Sequence, residues 1–116
     1  MFHPSCKKDY LDLPESVQDD AGHNLDRAQQ GLQPQISFDA LRGFGSGVME
    51  LRIPEAGDAY RVVYVAKFSK GVFVLDAFKK KSPRGSKLPQ NIENRIRQRC
   101  KDARQTNDQL KKGGKR

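Results

Sequence analysis

Two arginines and a lysine-rich strand end are the residues of this chain best suited to chemistry. Arg52 closes the run Met49-Glu50-Leu51-Arg52, and Arg61 opens Arg61-Val62-Val63-Tyr64. Both fall in stretches that read as strands, where a long cation is unusual unless its face is solvated or holds a ligand. Asp76 and Phe78 lie on a following strand that runs into Lys79, Lys80 and Lys81, with Arg84 shortly after. A guanidinium presents a planar fork that matches phosphate oxygens. Such cations could fix a phosphodiester and stabilise the charge that builds on it during cleavage. The competing account pairs Arg52 with Glu50 or Asp76 on a solvated sheet face, because surface ion pairs are common and contribute little. The lysine run alone is less specific, since basic stretches bind many polyanions.

Other chemistries have weaker support. His3 and His23 have no Cys, Asp or Glu at metal-ligand spacing, so both are expected as surface histidines and no metal or cofactor is expected. Cys6 and Cys100 have neither ligand spacing nor a paired histidine. Cys100 falls on an apolar stripe and is expected as a small core residue. Gly43, Gly45 and Gly47 alternate with Phe44 and Ser46, but the Lys-Ser/Thr ending and the preceding strand of a phosphate loop are missing.

The charge distribution points to an anionic partner. The 116 residues carry a formal net charge of +8. Residues 1–35 hold three Lys/Arg against six Asp/Glu, residues 36–78 five against five, and residues 79–116 fourteen against three. The basic character is therefore regional, and nucleic acid is the first candidate partner, ahead of a membrane surface or an acidic protein. No apolar run approaches the ~18 residues of a membrane span, and no signal pattern opens the chain. The expectation is a cytoplasmic protein in a reducing compartment.

The elements that must position these cations are legible from periodicity. Leu13, Val17, Ala21, Leu25 and Ala28 repeat at steps of three and four, which predicts a helix over about 14–30. Ser5–Tyr10 reads as a helical turn and 1–3 as a stub of strand, while 33–46 reads as a loop from which Phe38 and Leu41 pack on the sheet edge. Three strands follow, over 48–53, 60–68 and 72–80, joined by turns at 54–58 and at Ser69-Lys70-Gly71. By alternation, Arg61 shares a face with Val63 and Val65. On the last strand Phe73, Leu75 and Ala77 alternate with Val72, Val74, Asp76 and Phe78. Helices are expected to cover one face of this meander, with the other at least partly open. Ile92, Ile96, Cys100 and Ala103 predict a C-terminal helix over about 90–104, and residues 105–116 are expected to form a basic, disordered tail. The expected class is α+β, with a small twisted antiparallel sheet, N-terminal helices and a C-terminal helix in one domain over 1–104.

Successive blocks of the chain, LPESVQDDAGHNLDRAQQG, FGSGVMELR, GDAYRVVYVAKF and VFVLDAFKKKSPRGSKLPQNIENRIRQR, resemble the phage-derived toxin-like family of the RelE/ParE toxin superfamily, on its HigB-like side. The specificity lies in the order and spacing of the blocks, which cover roughly 5–104. The resemblance implies a RelE-like fold and a neutralising antitoxin, typically with a helix-turn-helix domain. It also implies cleavage of mRNA, on the ribosome or free, by attack of the RNA's own 2′-hydroxyl on the adjacent phosphate without a metal. On that basis Arg61 is the candidate phosphate clamp and Arg52 a second cation. Lys79, Lys80 and Lys81 neutralise the backbone or the transition state with Arg84, and Phe78 either stacks on a base or belongs to the core. Two departures stand out. Many relatives carry His at the position of Asp76, so a neutral-pH acid/base is replaced here by a carboxylate. The opening strand of the family also looks shortened. Within the same fold, a toxin that binds DNA gyrase without cleaving anything, or a catalytically silent RNA- or antitoxin-binding member, remain the competing functions.

Overall fold

The computed structural model describes residues 2–45, 47–68, 71–80 and 88–113. These form α1 (Pro4–Leu11), α2 (Glu15–Gln29), β1 (Phe38–Ala40), β2 (Val48–Glu55), β3 (Asp58–Phe68), β4 (Gly71–Lys80) and α3 (Gln90–Gly113). The strands make one antiparallel sheet in the order β1-β2-β3-β4. The α+β class, the meander and the helices at both ends agree with the sequence reading.

The layering differs from that reading. Val62, Val63, Tyr64 and Val65 are all buried, as is every residue from Val72 to Ala77. A strand with one open face alternates apolar and polar residues; a near-continuous apolar run signals burial on both faces. Helices accordingly cover both faces. Cys6 of α1, Leu13, and Val17, Ala21 and Leu25 of α2 pack with Leu51, Ile53, Val62 and Tyr64 on one side. Ile96, Cys100 and Ala103 of α3 pack with Val48, Val63, Val65, Phe73 and Leu75 on the other. Each fully buried aliphatic side chain contributes about 1.5–3 kcal/mol relative to exposure, so neither face could stay open at low cost.

The alternation expected for β4 also breaks. Val63 pairs with Asp76 but Tyr64 with Val74, so Leu75 is an extra residue, a β-bulge. The bulge puts Phe73, Leu75 and Phe78 in the α3-side core, and Val72, Val74 and Ala77 in the α1/α2-side core. The β2–β3 turn is a two-residue loop, Ala56-Gly57, with φ of 51° and 84°. Positive φ at both positions matches the twist of the flanking strands. Gly71 adopts the positive φ expected of it (107°), while Ser69 and Lys70 lie outside the described residues.

The N-terminal segment is tied down. Phe2 makes an isolated parallel bridge to Val74, and the His3 N–H donates to the Val74 carbonyl at 2.8 Å. His3 is not the surface histidine expected; it is 8% exposed. Its Nδ1 accepts the Ser5 N–H, capping α1, which leaves Nε2 to donate to Asp102 Oδ2 of α3 at 2.9 Å. His23 is exposed and meets Gln35. Helix α3 runs past Arg104 to Gly113, because Asn107 (7% exposed) continues the buried stripe of Ile96, Cys100 and Ala103 at helical spacing.

The glycine-rich loop clasps this helix. The Phe44 carbonyl accepts from Arg104 Nη2 at 3.0 Å and the Gly43 carbonyl from Arg97 Nη1 at 3.1 Å. The Phe44 ring is buried beneath the Arg97 guanidinium, 4.9 Å from its centroid. A side chain at Gly45 (φ 102°) would collide with Arg104, whereas one at Gly43 (φ 91°) would meet open space.

Two predictions follow from these contacts. Gly43→Ala should lose about 1–2 kcal/mol for the disfavoured backbone, and Gly45→Ala measurably more because it also dislodges Arg104. Urea denaturation of the two variants checks this, and equal losses would remove the clasp from the account. Second, the His3 hydrogen bond holds the Asp102 carboxyl below its ordinary value of 3.8. A depressed carboxyl contributes stability above that value and loses it as pH falls through the lower folded one. Asp102→Asn should therefore be less stable than the parent at pH 7 and converge with it under strongly acidic conditions, as followed by thermal melts across pH.

Candidate functional site

The β2–β3 register sets Arg52 directly opposite Arg61 and Glu50 opposite Val63. The three charged residues share the sheet face on which α3 packs, and Glu50 stands diagonal to Arg61. Like charges directly opposite in an antiparallel pair repel. Glu50, 7% exposed, relieves the repulsion by accepting from both: Arg61 Nη1 at 2.8 Å and Arg52 Nε at 3.2 Å, on the same oxygen, Oε1. Asp39 on β1 adds a 3.3 Å contact to Arg52 Nη2, but both partners are well exposed and such a pair contributes little. Two guanidinium groups thus lean on one buried carboxylate. The Arg61 side chain is only 13% exposed, and its Nε is buried with no hydrogen-bond partner among the described residues. An unmet buried donor costs about 1–3 kcal/mol.

The end of β4 extends this face. Phe78 pairs with Arg61 and Lys80 with Ala59, so both lie on the arginine side of the sheet. Phe78 is half-buried against the α3-side core. Lys80 is half-buried and makes no ion pair among the described residues. Lys79 points to the opposite face, where it pairs with Asp58 at 3.2 Å in an exposed contact. Lys81 and Arg84 lie outside the described residues. The structure therefore brings Arg52, Arg61, Phe78 and Lys80 onto one surface and turns Lys79 away from it.

Asp76 belongs to a different cluster. It is 0% exposed, and α3 grips it with two arginines one helical turn apart. Arg95 Nε and Nη2 donate to Oδ2 and Oδ1 at 2.7 and 2.8 Å, a bidentate fork, and Arg99 Nη1 approaches Oδ1 at 3.5 Å. Arg99 Nη1 also donates to the Leu75 carbonyl, and Arg99 Nη2 reaches Asp9 of α1 at 3.6 Å. The hydrogen bond to Asp76 raises the Arg95 pKa further above its ordinary value. Asp76 is thus a buried anchor between β4 and α3, and the ion pairs it makes are with the α3 arginines. The thiols are equally occupied with structure. Burial, with the Asp76 charge behind it, pushes Cys6 up to about 12, and burial also raises Cys100. Neither supplies a thiolate near neutral pH.

The Arg52–Glu50 pair is one the sequence reading offered, and the structure forms it. The contact from Glu50 to Arg61 and the two arginines of α3 escaped that reading. Arg95 and Arg99 share a helix face at i,i+4 spacing, but only the docking of α3 on β4 gives that face a meaning.

Removing the Asp76 anchor should be costly. Asp76→Ala leaves Arg99, 10% exposed, with Asp9 as its remaining carboxylate, while Arg95, 35% exposed, can still turn to water. Breaking a buried pair from one side costs about 3–5 kcal/mol, and the exposure of Arg95 places the expected loss at the lower end. Lys79→Ala, at an exposed pair, should stay within about 0.5 kcal/mol of the parent. Chemical denaturation of both variants is the measurement, and similar midpoints would contradict the anchor.

Comparison with known proteins agrees with this architecture. The family model described as phage-derived protein Gp49-like (DUF891) matches residues 8–101, which span all the described cations above except Arg104. No curated protein matches the sequence. With four-fifths of its length inside that match and an α+β fold, the chain belongs to the Gp49-like phage-derived family, a RelE/HigB-like toxin family of toxin–antitoxin systems.

Proposed function

We propose that this toxin is a metal-independent endoribonuclease that cuts mRNA, and that Arg61 and Arg52 hold the scissile phosphate. The observation that carries the reading is the opposed arginine pair sharing a single buried carboxylate. A strand pair that sets two guanidinium groups face to face is short of negative charge, and a phosphodiester supplies it. The RNA's 2′-hydroxyl gives up its proton to solvent and attacks the adjacent phosphorus, forming a 2′,3′-cyclic phosphate. The 5′-oxygen leaves and takes a proton from solvent, so the protein must align the groups in line and stabilise the phosphorane. The phosphate competes with Glu50 for Arg61; Glu50 holds one of its nitrogens and keeps the side chain oriented before RNA arrives. Lys80 lies on the same surface and neutralises a flanking phosphate, with Phe78 beside Arg61 as the apolar border. Lys79, Lys81 and Arg84 serve RNA of greater length. Asp76 acts through α3, by holding it on the sheet. Catalysis then rests on positioning and electrostatics rather than on a histidine at that position.

Membership of a toxin–antitoxin family implies an antitoxin partner. We assign that partner a helix-turn-helix domain and an acidic segment that covers the basic surface, and we place the pair in the cytoplasm with the ribosome as a possible site of action. Among the described residues, no helix is long and apolar enough to cross a membrane.

Arg61→Ala should reduce transcript cleavage by roughly 100- to 1000-fold, the usual loss when one transition-state electrostatic contact is removed. The protein should stay folded and still bind its antitoxin. Arg61→Lys should recover only part of the rate, because an ammonium lacks the bidentate fork. Expression without the antitoxin, followed by mapping of transcript ends, is the test. A folded Arg61→Ala protein that cuts at the parental rate would overturn the clamp. DNA breaks with intact transcripts would move the target to gyrase, and unimpaired growth would leave a silent family member.

A further inference from the structure

A pocket of about 340 Å³ opens beside Arg52, between β1, the loop that follows it and the start of α3. Its size is at the lower end of the range for small-ligand sites, ~300–1,000 Å³. Leu41, Leu88 and the Phe44 ring give it apolar walls, while Arg42, Arg52 and Glu93 supply charge. Two further carboxylates reach it, Asp39 and Glu50, but both are engaged by the arginines. Glu93 is different. Its one ion pair among the described residues is to Arg97 at 4.0 Å, beyond hydrogen-bonding distance, and Arg97 is already committed to the Gly43 carbonyl and the Phe44 ring. The Glu93 side chain is 22% exposed, so it presents a partly desolvated, acceptor-only group to a pocket of mixed polar and apolar lining.

We infer that this pocket takes the nucleobase next to the phosphate held by Arg52 and Arg61, and that Glu93 selects guanine. The inference rests on the endoribonuclease proposal for the identity of the polymer. A carboxylate offers two parallel acceptors. Guanine presents two adjacent donors on its Watson–Crick edge, N1–H and the 2-amino group, and pairs with both. Adenine and cytosine each offer one amino group beside a ring acceptor, which the carboxylate repels. Uracil offers one N–H between two carbonyls. Arg42 and Arg52 stand in the same lining as Glu93, so a nucleotide can set its phosphate on a cation and its base edge on the carboxylate. Leu41, Leu88 and the Phe44 ring supply apolar surface that any of the four bases can lie against, so the discrimination falls to Glu93.

Titration of the purified protein with the four nucleoside 3′- and 5′-monophosphates, followed by NMR chemical shifts at low salt, separates the two proposals. Guanosine monophosphate should bind about tenfold or more tightly than the other three, in the range expected of one bidentate base contact. Glu93→Gln, an isosteric change, should erase the preference while the nucleotides still bind. Arg61→Ala should weaken all four alike. Cleavage sites mapped in transcripts should carry guanine at one fixed position beside the cut, and Glu93→Gln should scatter them. Equal binding of the four nucleotides, a preference for another base, no binding, or a guanine preference untouched by Glu93→Gln would each overturn the pocket. Intact transcripts alongside a Glu93-dependent guanine preference would instead remove the endonuclease reading and keep the pocket.

Discussion

Burial of β3 on both faces is the constraint on which the structure depends. Four successive residues, Val62 to Val65, exclude water on both sides, so the sheet needs a helical layer above and below. α1 and α2 form one layer and α3 the other. With α3 in its layer, that face opens toward water at the end of the sheet beyond Val63 and Val48. Arg52, Arg61, Glu50, Phe78 and Lys80 are gathered there by strand register alone. The chemistry is therefore placed at the rim of a core, half out of water, where an ion contact is stronger than on an open surface.

The second layer is held by more than apolar contact. Asp76 enters the core only because the bulge at Leu75 lets two successive residues of β4 face α3. Arg95 and Arg99 then meet it from one helix face, and Arg99 reaches on to Asp9 of α1. His3 ties the start of α1 to Asp102 further along the same helix. These contacts link α1, β4 and α3 at the outer edge of the sheet. Phe44 and the carbonyls of Gly43 and Phe44 hold α3 from the other side. Apolar burial brings the helix to the sheet, and the ion pairs select one rotation of it, since a buried arginine without its carboxylate is expensive.

The two charge clusters divide labour along α3. Around Asp76 every carboxylate and guanidinium has a partner, and the cluster is closed. Around Arg52 and Arg61 one buried carboxylate serves both guanidinium groups, the second, Asp39, is exposed, and Arg61 Nε lacks a partner among the described residues. A fully satisfied network rigidifies, whereas a partly satisfied one is high in free energy until a ligand completes it. The helix start that carries Glu93 borders the second cluster, so the same element that is locked by the first positions the walls of the second.

Much of this was legible in the chain. The 3.6-residue stripe from Leu13 to Ala28, the stripe from Ile92 to Ala103, the glycine at the β3–β4 turn and the strand arginines all follow from local periodicity and backbone preference, which act within a few residues. The α+β class and the family follow from the order of those blocks. What the local pattern did not reveal were properties of pairing across the fold. The unbroken run of Val62 to Val65 carried the signal for a two-sided sheet, yet a reading by strict alternation masks it. The bulge in β4 is invisible to a period of two, because an inserted residue changes which side chains face which layer without changing their types. Strand β1 is three residues long, too short for any period. Asp76 looked like a replaced acid/base by position in a motif, and only the docking of α3 shows two arginines waiting for it. The opposition of Arg52 and Arg61 is a matter of register, which composition leaves open and burial of Val48, Val63 and Val65 decides.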